Sequence, residues 1–314
     1  MAAVGAIDIG GTKIAVGVVD ESGRVLARRE CPTDASRGYE DALARMCAML
    51  RDAVQRGKQS IDGIGIGSTG PVDPFTGVIG KLDFLPGWEG SPLVDDLARE
   101  FGLAVAMEND GDAAALGEAG WGAGRDKANL AYVTVGTGIG VGIIADGKLY
   151  RGAGGAHPEI GHHVIDCTGP LCSCGAHGCW ESLATGPAMA QWLSSNAPPD
   201  YPHLDGLTGK RICELARQGD APARRAVERE ARYLGIGVAN LVTLFIPDTI
   251  VLGGSVMHSA DLFLDTIRDT VRRHCGYVPF EKTVVALASL GPDANLIGAA
   301  RVWHHRFAPD GPRK

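Results

Sequence analysis

Between His157 and Glu181 the chain reads H-P-E-I-G-H-H and then C-S-C-G-A-H-G-C-W-E. His162, Cys172, Cys174 and Cys179 fall at the spacing H-x9-C-x-C-x4-C, a donor set that suits one tetrahedral zinc ion. Four protein ligands leave no open coordination position, so the ion would be structural. It would pin a loop with little core of its own and aim the two acids that bracket it, Glu159 and Glu181, at one place. The scattered cysteines, Cys31, Cys47, Cys213 and Cys275, read as buried small hydrophobes. For the cluster a disulfide is the rival reading. The chain opens directly into a strand with no basic leader, which points to a reducing cytoplasm where thiols beside a histidine favour metal. Cys167 and His163 are the neighbours that could enter the ligand set.

Two glycine turns offer a second chemistry. In D-I-G-G-T-K, Gly10 and Gly11 let backbone N–H groups converge on an anion with no Cβ in the way. Thr12 adds a hydroxyl, Lys13 a positive charge, and Asp8 a carboxylate able to hold Mg²⁺ through water. V-G-T-G-I-G repeats the offer with Gly136, Thr137 and Gly138. One such turn is equally a plain hairpin; two in matching contexts resemble a clamp on the phosphates of a nucleotide. Neither has the spacing of a Walker loop, and neither opens a helix as a dinucleotide fingerprint does. A third segment, M-E-N-D-G-D at 107–112, ends a strand and precedes a helix. Asn109 and Asp110 could both reach a polyhydroxylated substrate, with Asp110 as general base. Helix capping is the competing reading, and Asp112 as the cap would free Asp110.

The elements that position these residues form an α/β pattern. Residues 4–9 and 14–19 read as strands joined by the first glycine turn, and 25–28 as a third after the turn at Glu21-Ser22-Gly23. Apolar spacing over 39–54 predicts an amphipathic helix. Buried strands are expected at 61–67 and 104–107, with helices near 92–101 and 111–119. The opening then recurs: strand 130–135, glycine turn, strand 139–145, and an Asp146-Gly147 hairpin turn. Two such units imply two related α/β domains facing one another. A long helix over 221–245 and a strand over 249–252, ending at Gly253-Gly254, follow. Residues 308–314 read as a frayed tail.

Composition narrows the function classes. The 314 residues carry 30 Lys and Arg against 37 Asp and Glu, a net charge of −7, with no clustered basic footprint for nucleic acid. No apolar run approaches a membrane span.

Taken in order, D-I-G-G-T-K, N-D before a helix, the second glycine turn, E-I-G-H with C-x-C-G-x-x-G-C-x-E, and V-L-G-G-S resemble the ROK family of bacterial sugar kinases and repressors. The resemblance runs from Asp8 to about residue 300. It implies two actin-like (ribonuclease H-like) domains with an interdomain cleft and a zinc-binding loop. The small domain would be residues 1–118, with a C-terminal helix at about 296–308 packing back on it, and the larger domain 119–295. It also implies ATP-dependent phosphorylation of a hexose with Asp110 as base, Mg²⁺ on the phosphates and closure that expels water. Asn109, Glu159, His162 and Glu181 match positions that hold sugar hydroxyls, with His162 using one ring nitrogen for zinc and the other for sugar. Ser68, Thr69 and Gly70 match a loop lining the sugar site, and Gly253 and Gly254 would admit the adenosine. The family expectation for assembly is a homodimer or homotetramer.

The sequence also departs from the family pattern. D-F-L-P-G-W at 83–88 carries Phe84 where many members have an asparagine. L-P-G-W-E-G-S-P-L otherwise looks like glucokinases, whereas H-P-E-I-G-H and L-A-T-G-P-A resemble fructokinases; the cysteine triad and L-P-G-W favour glucose. Fructose and N-acetylhexosamines are the alternative acceptors. A repressor would add an N-terminal helix-turn-helix, and a silent sugar sensor would be expected to lose the base.

Overall fold

A computed structural model describes residues 3–307; the tail expected at 308–314 lies outside the described residues. In chain order the elements are β1 (Ala3–Ile9), β2 (Lys13–Val19), β3 (Val25–Pro32), α1 (Tyr39–Gly57), β4 (Ile61–Ser68), β5 (Val72–Asp73), β6 (Val78–Ile79), α2 (Leu93–Phe101), β7 (Ala104–Asn109) and α3 (Asp110–Trp121). They continue with β8 (Leu130–Val135), β9 (Ile139–Ala145), β10 (Lys148–Leu149), α4 (Trp180–Leu183), α5 (Gly186–Asn196), α6 (Gly209–Arg217), α7 (Ala221–Phe245), β11 (Thr249–Gly253), α8 (Leu264–His274), β12 (Val284–Leu287) and α9 (Ala294–Phe307). One five-stranded sheet has the order β3-β2-β1-β4-β7 and a second β10-β9-β8-β11-β12, with β5 and β6 forming a small two-stranded sheet. The sequence repeat is therefore a repeat of topology. In each five-stranded sheet an antiparallel meander leads into three parallel strands, β1-β4-β7 and β8-β11-β12.

The chain divides into two compact units. Of the described residues, one unit holds those up to Lys127, Gly142–Pro158 and those from Ala288; the other holds Ala128–Val141 and Glu159–Leu287. This differs from the division expected at residue 118. Residues after α3 stay with the first unit because the buried Glu118 carboxylate accepts the Ala123 N–H at 2.7 Å and the Ser289 N–H at 3.0 Å. Gly142–Pro158 joins it because a Cβ on Gly142 would lie 2.5 Å from the Gly111 carbonyl oxygen, a closeness only glycine allows.

In the first unit, β4 explains how the sheet is covered. Ile64 and Ile66 point into the core that α1 and α2 close, while Gly63 and Gly65 alternate onto the opposite face. Cβ atoms there would collide with Trp303 and with the Ala299 carbonyl, so α9 lies directly on the strand backbone. The return of the C-terminal helix to this unit follows from that glycine face. No helix among the described residues is long and apolar enough to cross a membrane.

In the second unit, α7 buries Glu230 completely, and neither carboxyl oxygen has a hydrogen-bond partner among the described residues. Burial, only partly offset by Arg229, raises its pKa well above the ordinary 4.5. The unfolded chain releases this proton near the ordinary value while the folded chain keeps it. Stability therefore falls by up to about 1.4 kcal/mol per pH unit above that value, until the folded pKa is reached. Glu230→Gln ionises in neither state. It is expected to melt several degrees above the parent at roughly pH 8, with the gap closing toward roughly pH 5 in thermal denaturation. A gap that does not change with pH would mean that Glu230 folds as a carboxylate.

Candidate functional site

The candidate residues divide between the two units. In the first, the parallel strands β1, β4 and β7 end in register, with Ser68 opposite both Ile9 and Asn109. Strand ends of this kind are where α/β proteins present groups to ligands, because the chain must turn there with its backbone exposed. The turn after β1 closes with the Gly10 N–H on the Lys13 carbonyl at 2.9 Å. Thr33, fully buried on the way out of β3, braces it by donating its hydroxyl to the Gly10 carbonyl at 2.6 Å. Gly11, Thr12 and Lys13 are exposed, and Lys13 pairs with Glu30 at 3.5 Å. The Phe84 ring lies on Gly11, where a Cβ would stand 3.0 Å from its Cδ2. Phe84 thus packs on this glycine turn while remaining 50% exposed.

Asn109, not Asp112, caps α3: its side-chain oxygen accepts the Gly111 N–H at 2.8 Å. Asp110 Oδ1 accepts the same N–H at 2.8 Å. The Asn109 amide also lies against Gly70, which brings the Ser68–Gly70 loop to the N-terminus of the helix. Asp8 senses Asp110. Burial first, and then the Asp110 charge, push the Asp8 carboxyl up to about 7, against the lowering effects of Asn295, Lys13 and Arg28. A buried acid raised by a neighbouring carboxylate suits a divalent cation, whose charge would reverse the shift on Asp8. This arrangement fits Mg²⁺ with Asp8 as the holding residue.

In the second unit, His162, Cys172, Cys174 and Cys179 form one cluster whose four donor atoms all lie within 4.8 Å of one another. Cys172 Sγ stands 3.4 Å from His162 Nδ1, and Cys174 Sγ 3.4 Å from Cys179 Sγ. A disulfide needs about 2.05 Å, whereas the edge of a tetrahedron with zinc–sulfur bonds of about 2.3 Å is about 3.8 Å. The donors fit zinc. Burial first, then the crowding of its neighbours, push the Cys179 thiol up to about 12, whereas the Ala176 backbone and Cys179 lower Cys174, and a cation inside would favour thiolates at both. The neighbours drop out of the ligand set. His163 spends Nδ1 on the Ile160 carbonyl and Nε2 on the Asn240 amide, and Cys167 is exposed outside the cluster.

With Nδ1 toward the cage, His162 turns Nε2 to Glu181 Oε1 at 3.9 Å. Glu181 in turn accepts the Ile139 N–H at 2.9 Å and lies against Gly138. One carboxylate thus links the metal cage to the second glycine turn, which is closed by the Gly136 N–H on the Gly138 carbonyl at 2.9 Å. Glu159 is exposed at the start of the short turn that carries His162. Gly254, at φ +89°, fits only because it has no Cβ to strike the Val135 backbone, one residue before that turn. Behind the turn opens a cavity of about 760 Å³ within this unit, walled by Met189, Leu207 and Val256 and edged by Thr137, Lys210 and Ser255. An apolar chamber with a few polar groups beside an anion turn suits a nucleoside.

The ROK family model matches residues 4–306. The chain belongs to the ROK family. A glucokinase of Streptomyces coelicolor is 36% identical over 310 residues, covering 94% of this chain and 95% of that protein. Among solved structures, the ROK hexokinase of Thermus thermophilus superposes with a TM-score of 0.86 at 34% identity, over 98% of this chain and 100% of the other. A ROK family glucokinase of Streptomyces griseus, solved in complex with glucose and AMPPNP, gives 0.79 at 37% identity, over 95% and 98%. A repressor matches as well: a xylose repressor of Caldicellulosiruptor bescii is 30% identical over 93% of this chain and 75% of its own.

Sequence reasoning missed several residues of this ROK chain. Thr33 and Asn295 support the Gly10 turn and Asp8, but a lone threonine and a lone asparagine carry no pattern. Asp112, with its capping role gone, pairs through Oδ2 with His157 Nδ1 at 2.9 Å. Glu108 pairs with Arg151, and burial outweighs that partner to push its carboxyl up to about 7. A run of acids such as E-N-D-G-D was the available signal, because acids so close together require counter-charges.

Proposed function

We propose that this ROK chain is an ATP-dependent hexose kinase that phosphorylates the 6-hydroxyl of glucose. The sugar-kinase class rests on glucokinase and hexokinase relatives that match nearly the whole chain. The observation that carries the residue-level reading is the placing of Asp110 at the start of α3, directly after Asn109 and beside the Ser68–Gly70 loop. In this reading Asp110 takes the proton of the sugar hydroxyl, whose oxygen attacks the γ-phosphorus as ADP leaves. Asn109, Glu159, His162 and Glu181 hold the sugar hydroxyls, and Ser68, Thr69 and Gly70 line the acceptor site. The turns Gly10–Lys13 and Gly136–Gly138 hold phosphates, and Gly253 and Gly254 border the nucleoside. Mg²⁺, when bound, neutralises phosphate charge near Asp8. Zinc, held by His162, Cys172, Cys174 and Cys179, fixes the His162 ring. Two actin-like domains, a cytoplasmic location and a homodimer or homotetramer belong to the same reading.

The apolar walls of the cavity beside Thr137 give a nucleoside a surface to pack on, which supports a nucleoside triphosphate as donor. The test is turnover with ATP or polyphosphate across glucose, fructose, mannose, N-acetylglucosamine and N-acetylmannosamine. The expected result is highest kcat/KM for glucose with ATP. A preference for fructose would make H-P-E the better guide to the acceptor. Saturable sugar binding without turnover on any sugar would make the chain a sensor and overturn the kinase reading.

A further inference from the structure

The two acids that flank Asn109-Asp110 are both buried, and both take their side-chain partners from one short segment. Glu108, the last residue of β7 before the pair, is ion-paired with Arg151. Asp112, in the first turn of α3, has a side chain only 2% exposed and meets His157, itself 12% exposed, at 2.9 Å. Asp112 Oδ1 has no hydrogen-bond partner among the described residues, so this carboxylate leans on His157. Arg151 and His157 both lie in the stretch that follows β10, on the same unit as Asp110. That stretch is held down in turn: the Arg151 guanidinium stacks over Phe75 at 5.7 Å, Arg306 of α9 covers the same ring at 5.7 Å, and Gly155 presses against it.

We infer that residues 151–157 are a strap across the base of the catalytic turn, in which Arg151 and His157 are positioning residues that hold Glu108 and Asp112 and so fix Asn109-Asp110. Neither residue touches the reacting atoms. An uncompensated carboxylate two residues from Asp110, buried and short of partners, would pull its helix turn toward water, and displacement by a fraction of an ångström is enough to misplace a base. The inference rests on the reading of Asp110 as the base.

The test is a double-mutant cycle with His157→Ala, Asp112→Asn and the pair combined, read in kcat, in KM and in thermal unfolding of the full chain. His157→Ala is expected to lower kcat about tenfold or more while both KM values stay within about threefold. Asp112→Asn, which removes the charge that needs holding, is expected to restore kcat in the His157→Ala background. Additive thermal shifts would overturn the pairing. Coupled thermal shifts with kcat unchanged would make it a structural ion pair only and overturn the positioning role. If His157→Ala does not accumulate folded, His157→Gln keeps a donor without the imidazole and is read the same way. An unmodified chain inactive on every hexose refutes the kinase reading instead, and the thermal cycle still decides the pair.

Discussion

Asp110→Asn is expected to lower turnover about a thousandfold, within the range a positioned general base supplies, while sugar and nucleotide still bind. The substitution is nearly isosteric. The Asp110 oxygen that accepts the Gly111 N–H at 2.8 Å has an amide oxygen as its replacement, and Asn109 continues to cap α3. What disappears is the capacity to take a proton. The measurement is ADP release under saturating sugar and ATP, with sugar binding followed by calorimetry. Loss of kcat at unchanged sugar affinity identifies the base. Turnover like that of the parent would remove Asp110 from the role, and loss of sugar binding would make it a substrate contact. A second consequence is checkable in the same protein: with the charge at 110 gone, one of the two causes that hold Asp8 near 7 is gone, so its carboxyl should titrate lower.

Cys174→Ser is expected to empty the zinc cage and raise the sugar KM about ten- to a hundredfold, the size of effect seen when a ligand's orienting partner is removed. Cys174 is the informative position because it is exposed, so the serine creates no cavity, whereas Cys172 and Cys179 are buried. Loss of the cage frees the His162 ring, and with it the link through Glu181 to Ile139 and the Gly136–Gly138 turn. Nucleotide affinity should therefore weaken in the same variant, though less than sugar affinity. Metal analysis by mass spectrometry reads the first effect and steady-state kinetics the second. Stoichiometric zinc retained in the variant would mean the ligand set is wrong, and zinc lost with both KM values unchanged would separate the metal from the site.

The sequence carried much of the site because its signals are local. H-x9-C-x-C-x4-C is a spacing within one loop, and a metal constrains such a loop whatever surrounds it. The two glycine turns are also local, and their recurrence before returning strands foretold the matching order of the two five-stranded sheets. The capping role was the local feature that stayed open. Asn109 and Asp112 are equally good N-cap residues by type, and the choice fell to Asn109 because a buried partner for Asp112 comes from 45 positions farther along the chain.

Domain limits were less legible. Residue 118 is a reasonable break by element count, but Glu118 itself binds the backbone on both sides of a gap of more than 150 residues. Hydrogen bonds of that span leave no periodicity to read. The contact of Phe84 with Gly11 and the straps on Glu108 and Asp112 belong to the same class, since each joins segments distant in sequence. By itself, then, the sequence determined the α/β class, the repeat and the grouping of His162 with Cys172, Cys174 and Cys179, because each is written in residue types at short spacing. Only the tertiary structure decided which acids are paired, which are left to one another and what braces the turns. A buried charge takes its partner from whichever element packs against it, and packing is settled by the whole chain at once.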